Sequence, residues 1–137
     1  MKLITKNTDY AIRALLVLGM APEMFLSARE IAEKEMIPLP FLRRILRELL
    51  KKGYMESREG TGGGVRLTRR TEDIRISEVI QFFQGRIQLS TCMFRKTACR
   101  NRTFCPLRKR IMAIEELVSR EFNAITLATL LHDRVST

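Results

Sequence analysis

The chain has little of what catalysis draws on. Among its 137 residues there is one histidine, His132. No serine has an identifiable base, and no two carboxylates are placed to share acid–base work, so no enzyme is expected. Long apolar runs are missing as well. The segment from Ala11 to Ala21 is interrupted by Arg13 and is too short to span a bilayer, which takes about 18 or more apolar residues. The first residues, Met-Lys-Leu-Ile-Thr-Lys-Asn-Thr-Asp, carry no signal-peptide pattern, and a cytoplasmic protein without a membrane partner is expected. No Gly-Lys-Ser/Thr follows the glycines at 60–64, which argues against a nucleotide phosphate loop. Acidic residues are scarce: 15 Asp and Glu stand against 25 Lys and Arg, a formal charge of +10. That excess favours a polyanionic partner, nucleic acid ahead of an anionic membrane surface. Cysteines number only 3, an odd and clustered set that suits metal ligands or redox thiols better than a disulfide framework.

What is present reads as one compact unit, since 45% hydrophobic residues suffice for a core in a chain of this length. Thr8 or Asp9 is expected to cap a first helix, apolar on most faces, that stops near Pro22. Ser27 and Glu30 form a capping box opening a short second helix with a thin apolar face of Ala28, Ile31 and Ala32. After the break at Met36-Ile37-Pro38-Leu39-Pro40, a third helix is expected from Phe41 to about Lys52. Phe41, Leu42, Ile45, Leu46, Leu49 and Leu50 recur in it at helical spacing, and Gly53 terminates it. The period then falls to roughly 2 on either side of the glycines, the pattern of a β-hairpin with a flexible tip. A fourth helix is expected from Ser77 to about Gly85 on Val79, Ile80, Phe82 and Phe83. Pro106 opens a long helix expected over 106–131, in which Leu107, Ile111, Ile114, Val118, Phe122 and Ile125 form a seam for another helix.

Two short helices, a tight break and a glycine-tipped hairpin make a winged helix-turn-helix, whose second helix enters the major groove of DNA. The fold expected is therefore mainly α with a small β-hairpin wing, followed by a long C-terminal helix. The recognition helix, Pro40 to Lys52, exposes Arg43, Arg44, Arg47, Lys51 and Lys52 against one acid, Glu48. Such a face suits phosphate contacts and arginine readout of guanine edges. Pro40, Phe41, Arg43 and Arg44 are nearest its N-terminus and best placed for bases. In the wing, Arg58 and Arg66 flank the glycines, and Gly62 and Gly63 permit close approach to the backbone or the minor groove. Ser27, at the start of the second helix, completes the set of candidate DNA-binding residues read here.

The segment from Thr91 to Arg110 differs in kind, with Cys92, Cys99 and Cys105 in a Cys-x6-Cys-x5-Cys pattern and no acidic residue. Thiolates are the ordinary ligands of iron–sulfur clusters. Zinc is the alternative, since three thiolates and one further ligand would complete its tetrahedron, although these intervals do not match the short Cys-x2-Cys knuckles of structural zinc sites. Arg95, Lys96, Arg100 and Arg102 favour the thiolate form and offset an anionic cluster. Redox thiols and a site without any cofactor also stay open. His132 reads as a surface residue.

Taken together, these residues resemble the IscR/NsrR-type winged-helix regulators, small homodimers that often carry an iron–sulfur cluster. The resemblance spans nearly the whole chain. It rests on Thr8-Asp9-Tyr10-Ala11-Ile12-Arg13-Ala14-Leu15, on the helix Phe41-Leu42-Arg43-Arg44-Ile45-Leu46-Arg47-Glu48-Leu49, on the wing Gly60-Thr61-Gly62-Gly63-Gly64-Val65-Arg66-Leu67, and on three cysteines after the fourth helix. It implies a single regulator domain over 1–137: a DNA-binding winged helix at 8–70, a cysteine loop at 91–106 and a dimerisation helix at 106–131. It further implies one two-iron or four-iron cluster per subunit, a palindromic double-stranded operator, and a repressor that senses redox state, nitric oxide or iron–sulfur status. In the IscR type a histidine follows the third cysteine by three residues, where this chain has Arg108. In the NsrR type an aspartate at the start of the first helix is supplied across the dimer, and Asp9 is the matching residue here. Glu59 stands where an arginine commonly reads the minor groove, and Arg43 replaces an acidic residue, so the operator is expected to differ from that of IscR. Other readings are a regulator of this family that is cofactor-free or controlled by zinc or thiols, and an iron–sulfur carrier, which would need the cysteines but not the basic helix.

Overall fold

The computed structural model describes residues 2–89 and 104–136. Six helices and a two-stranded hairpin run in the order α1 (Lys6–Met20), α2 (Ala28–Glu35), α3 (Leu39–Lys51), β1 (Met55–Arg58), β2 (Gly64–Leu67), a 3-10 turn (Thr71–Asp73), α4 (Ile76–Gln84), α5 (Pro106–Ala124) and α6 (Leu127–Val135). This is the mainly helical winged helix-turn-helix expected from the sequence. No helix among the described residues is long and apolar enough to cross a membrane.

α1 is the axis of the core. Tyr10, Ala11, Ala14, Leu15, Val17 and Leu18 are buried, and α2, α3, α4 and α6 all pack on it. Its cap is neither Thr8 nor Asp9 but Thr5, whose side chain accepts from the Thr8 amide. The helix begins earlier than its apolar pattern does because Thr8 is claimed from far along the chain. Fully buried, it donates its hydroxyl to Gln84 Oε1 at 2.7 Å. The same Gln84 side chain accepts from the Thr5 amide and donates to the Leu3 carbonyl, so the end of α4 holds the start of α1.

The Ser27–Glu30 capping box opens α2 with both reciprocal bonds formed. The helix ends at Met36, the one non-glycine residue among those described with a positive φ, 53°. Its side chain is 89% exposed, so packing does not offset a conformation that costs an L-residue roughly 1 kcal/mol or more. Met36→Gly is expected to raise the unfolding free energy by up to about 1 kcal/mol in urea titrations. No gain would place the strain elsewhere.

α3 starts at Leu39 rather than Phe41, because a proline at the second helical position, Pro40, costs no hydrogen bond there. Leu42, Ile45, Leu46 and Leu49 are buried, whereas Phe41 turns outward at 45% exposure. The hairpin pairs Met55 with Leu67 and Arg58 with Gly64. Leu26 adds a single strand-like rung to it: its amide and carbonyl bond Val65 at 2.9 and 2.8 Å. That rung requires glycine at 64, where a Cβ would lie 2.1 Å from the Leu26 carbonyl oxygen and φ is +143°.

The single helix expected over 106–131 is instead two. Ile125 and Thr126 are extended, and the chain there forms a bridge to Arg75: the Ile76 amide donates to the Ile125 carbonyl at 3.0 Å and the Leu127 amide to the Ile74 carbonyl at 2.8 Å. Thr126 then caps α6 through a box with Thr129, and fully buried Leu127 anchors α6 in the main core. The apolar period continues through this break, since Val118, Phe122 and Ile125 cover Ile76, Ile80 and Ile87. In the first two-thirds of α5 a stripe of apolar side chains is largely bare: Leu107, Ile114 and the neighbouring Leu117 are 66%, 50% and 56% exposed, with Ile111 half-buried among them.

Candidate nucleic-acid interface and cysteine segment

Burial of one face of α3 dictates what the other face offers. Pro40, Phe41, Arg43, Arg44, Arg47 and Lys51 are all exposed along it. Lys51 lies 3.5 Å from Glu48, and the Arg44 guanidinium stacks over the Phe41 ring at 5.7 Å, where Lys6 of α1 also approaches at 6.0 Å. Among the described residues Arg43 and Arg47 have no carboxylate within ion-pair reach, so their full charge faces solvent. The far end of the helix is tied down by Arg69, which stacks on Tyr54 at 4.4 Å, pairs with Glu78 at 3.6 Å and donates to the Lys52 carbonyl at 3.3 Å. Burial pushes the pKa of the Tyr54 hydroxyl up, Glu78 adds to the shift and Arg69 opposes it, so the hydroxyl stays protonated.

The wing stands beside this face. Gly63 closes its tip with a bond to the Gly60 carbonyl at 3.0 Å, and Arg58 donates to the Gly62 carbonyl at 3.1 Å. Arg66 pairs with Glu56 across the hairpin, while Glu59 is exposed at the turn. Phe25 was not among the residues singled out from sequence, yet both wing arginines lie against its ring, Arg58 at 4.4 Å and Arg66 at 4.5 Å from the centroid. Its only sequence signal is its place just before the Leu26 rung and the Ser27 cap. Ser27 is engaged in that cap, accepting from the Glu30 amide, and its hydroxyl proton is left to donate.

Of the cysteines, Cys105 alone is described; Cys92 and Cys99 lie outside the described residues. Cys105 is a half-exposed free thiol at the start of α5. Asp9 is on the first turn of α1, 52% exposed, with Arg13 Nε 3.2 Å from its carboxylate as a charge contact without hydrogen-bond alignment. Arg13 reaches on to the carbonyl of Glu35 at 3.0 Å, and the Glu35 carboxylate meets Arg134 of α6 at 3.7 Å. Among the described residues no group of three or more His, Cys, Asp or Glu is assembled for a metal. Exposed and half-exposed, the Asp9 carboxylate and Cys105 thiol are of the type that binds iron and are reachable. His132 is a surface residue beside Asp133.

The Rrf2 family of iron-dependent transcriptional regulators matches residues 4–133. The HTH-type transcriptional regulator NsrR of Geobacillus kaustophilus is 35% identical over 135 residues, 97% of this chain and 92% of that one. Two solved structures share the fold. IscR of T. potens gives a TM-score of 0.78 at 23% identity, covering 98% of this chain and 88% of that one. CymR, the global cysteine regulator of B. subtilis, gives 0.77 at 19% identity, covering 96% and 98%. With a family match over nearly its whole length, the chain belongs to the Rrf2 family: it is a DNA-binding transcriptional regulator, not an enzyme.

Proposed function

We propose that the protein acts as a homodimer that represses transcription from a palindromic operator, and that it senses redox state, nitric oxide or iron–sulfur supply through a cluster on Cys92, Cys99 and Cys105. The observation that carries the DNA half is the outer face of α3, where Arg43, Arg44 and Arg47 are exposed and, among the described residues, Arg43 and Arg47 are without acidic partners. Arginine's fork of donors fits guanine edges and phosphates alike. Pro40, Phe41, Arg43 and Arg44 read bases from the helix N-terminus. Arg47 and Lys51 hold the phosphate backbone, and Ser27 donates to it from the start of α2. Arg58, Glu59, Gly62, Gly63 and Arg66 bring the wing against the adjoining backbone or minor groove. Two copies joined along the bare stripe of α5 would set their α3 helices at half-sites roughly 34 Å apart.

For the sensor half, the three thiolates are joined by Asp9 of the partner subunit, since Arg108 occupies the place of the histidine used in the IscR type. A cluster there supplies a centre that reacts with oxidants and nitric oxide. The chain's own part is to carry the change from Asp9. When its carboxylate is engaged elsewhere, Arg13 loses one of its anions and leans on Glu35 at the end of α2, beside the recognition turn. Zinc on the same ligands, or bare thiols, would use the same path.

Anaerobic purification followed by visible absorption and by iron and sulfide analysis tests this. A coloured protein holding iron and sulfide in equal amounts is expected, with Cys105→Ser colourless and Asp9→Ala bleaching several-fold faster in air. A colourless, iron-free protein that still answers its signal on DNA would overturn the cluster. An Asp9→Ala lifetime equal to wild type would remove Asp9 as a ligand.

A further inference from the structure

The pairing of both wing arginines with one aromatic ring has no role in holding the core, since Arg58 is exposed, Arg66 half-exposed and Phe25 itself half-buried. Leu26 is locked to Val65 by two backbone hydrogen bonds, which places the preceding residue beside the hairpin. Phe25 then offers its ring to two guanidiniums at 4.4 and 4.5 Å. Each has one further anchor: Arg58 donates to the Gly62 carbonyl at 3.1 Å, and Arg66 pairs with Glu56. A guanidinium carries five N–H donors, so these anchors leave several free on each side chain. Two like charges gathered on a neutral ring, with one carboxylate, Glu56, paired to Arg66, leave a net positive charge fixed in place. A free arginine would spread that charge over many rotamers and lose that freedom on meeting an anion.

We infer that Phe25 is a positioning residue of the wing, stacking Arg58 and Arg66 so that both are preset for one stretch of DNA backbone. The inference rests on the reading above that the wing meets DNA. A leucine at 25 fills much of the same volume but has no ring face to attract cations, while tyrosine or tryptophan keeps one.

The test is binding of an operator-containing duplex by the full-length protein, with thermal unfolding confirming that each variant is folded. Phe25→Leu is expected to weaken binding on the order of fivefold, because Arg58 and Arg66, no longer preset on the ring, must be ordered when they meet the backbone. Phe25→Tyr and Phe25→Trp should restore the wild-type affinity. In an Arg58→Gln, Arg66→Gln background, Phe25→Leu should add nothing, because the groups it positions are gone. Wild-type affinity for Phe25→Leu, or the same fivefold loss persisting in the arginine-free background, overturns the positioning role. If the double arginine variant itself binds as wild type, the wing reading fails instead, and the two failures are told apart.

Discussion

Replacing Arg43, Arg44 and Arg47 together with glutamine is expected to cut duplex affinity by at least about ten-thousandfold near physiological salt. Each arginine that reads a base or holds a phosphate is worth roughly 1–3 kcal/mol, and a dimer loses every such contact twice. The loss should also change the salt dependence. If all three meet phosphate, a two-fold complex gives up six charge contacts, and the slope of log affinity against log salt should become shallower by about 5. An arginine that reads a base edge alone contributes to the affinity but less to the slope, so the two measurements separate the roles. Stability should stay within about 0.5 kcal/mol of wild type, because all three side chains are exposed and the buried face of α3 is untouched. Fluorescence anisotropy with a labelled duplex across a salt series measures both quantities. Unchanged affinity and slope would remove α3 as the reading helix.

Ile114→Glu combined with Leu117→Glu is expected to leave the chain monomeric at micromolar concentration by sedimentation velocity, and to weaken operator binding by at least about a hundredfold. Both residues are exposed, with Leu107, on the part of α5 that precedes Val118 and Phe122, the residues that cover α4. Glutamates there stay in water in the monomer and cost the core nothing, but in a dimer they would be buried without partners. Binding suffers because two half-sites held by one particle reinforce each other by a factor of about 10²–10⁴. A dimer that survives both substitutions would put the interface on another surface.

Where local chemistry decides, the sequence was a sufficient guide. The α2 cap needed only Ser27 and Glu30, three residues apart, and the outer face of α3 followed from the period of Leu42, Ile45, Leu46 and Leu49. Distant partners decided the rest. Thr8 looked like a cap and is a core residue because Gln84, 76 positions later, takes its hydroxyl. The break at Ile125 interrupts an unbroken apolar period, and only the backbone of Ile74 to Ile76 across the fold gives it a cause. Phe25 had no pattern to belong to, since its arginines lie on two strands that meet it only after folding. Ligands to one cluster that are split between a loop and a helix of another subunit would be still less legible, as no spacing within one chain encodes them.

The bridge between Arg75 and Thr126 fixes one end of α5 to the DNA-binding body, while the apolar stripe runs toward the other end. A helix from Pro106 to Ala124 is a rod of about 28 Å at 1.5 Å per residue. Each degree by which it swings about that bridge moves Pro106, and with it Cys105, by about half an ångström relative to the reading head. The leverage works equally in reverse. Chemistry that draws Cys105 a few ångströms in any direction turns the rod by several degrees, and two such rods lying along one another would spread or close the pair of recognition helices as a caliper does.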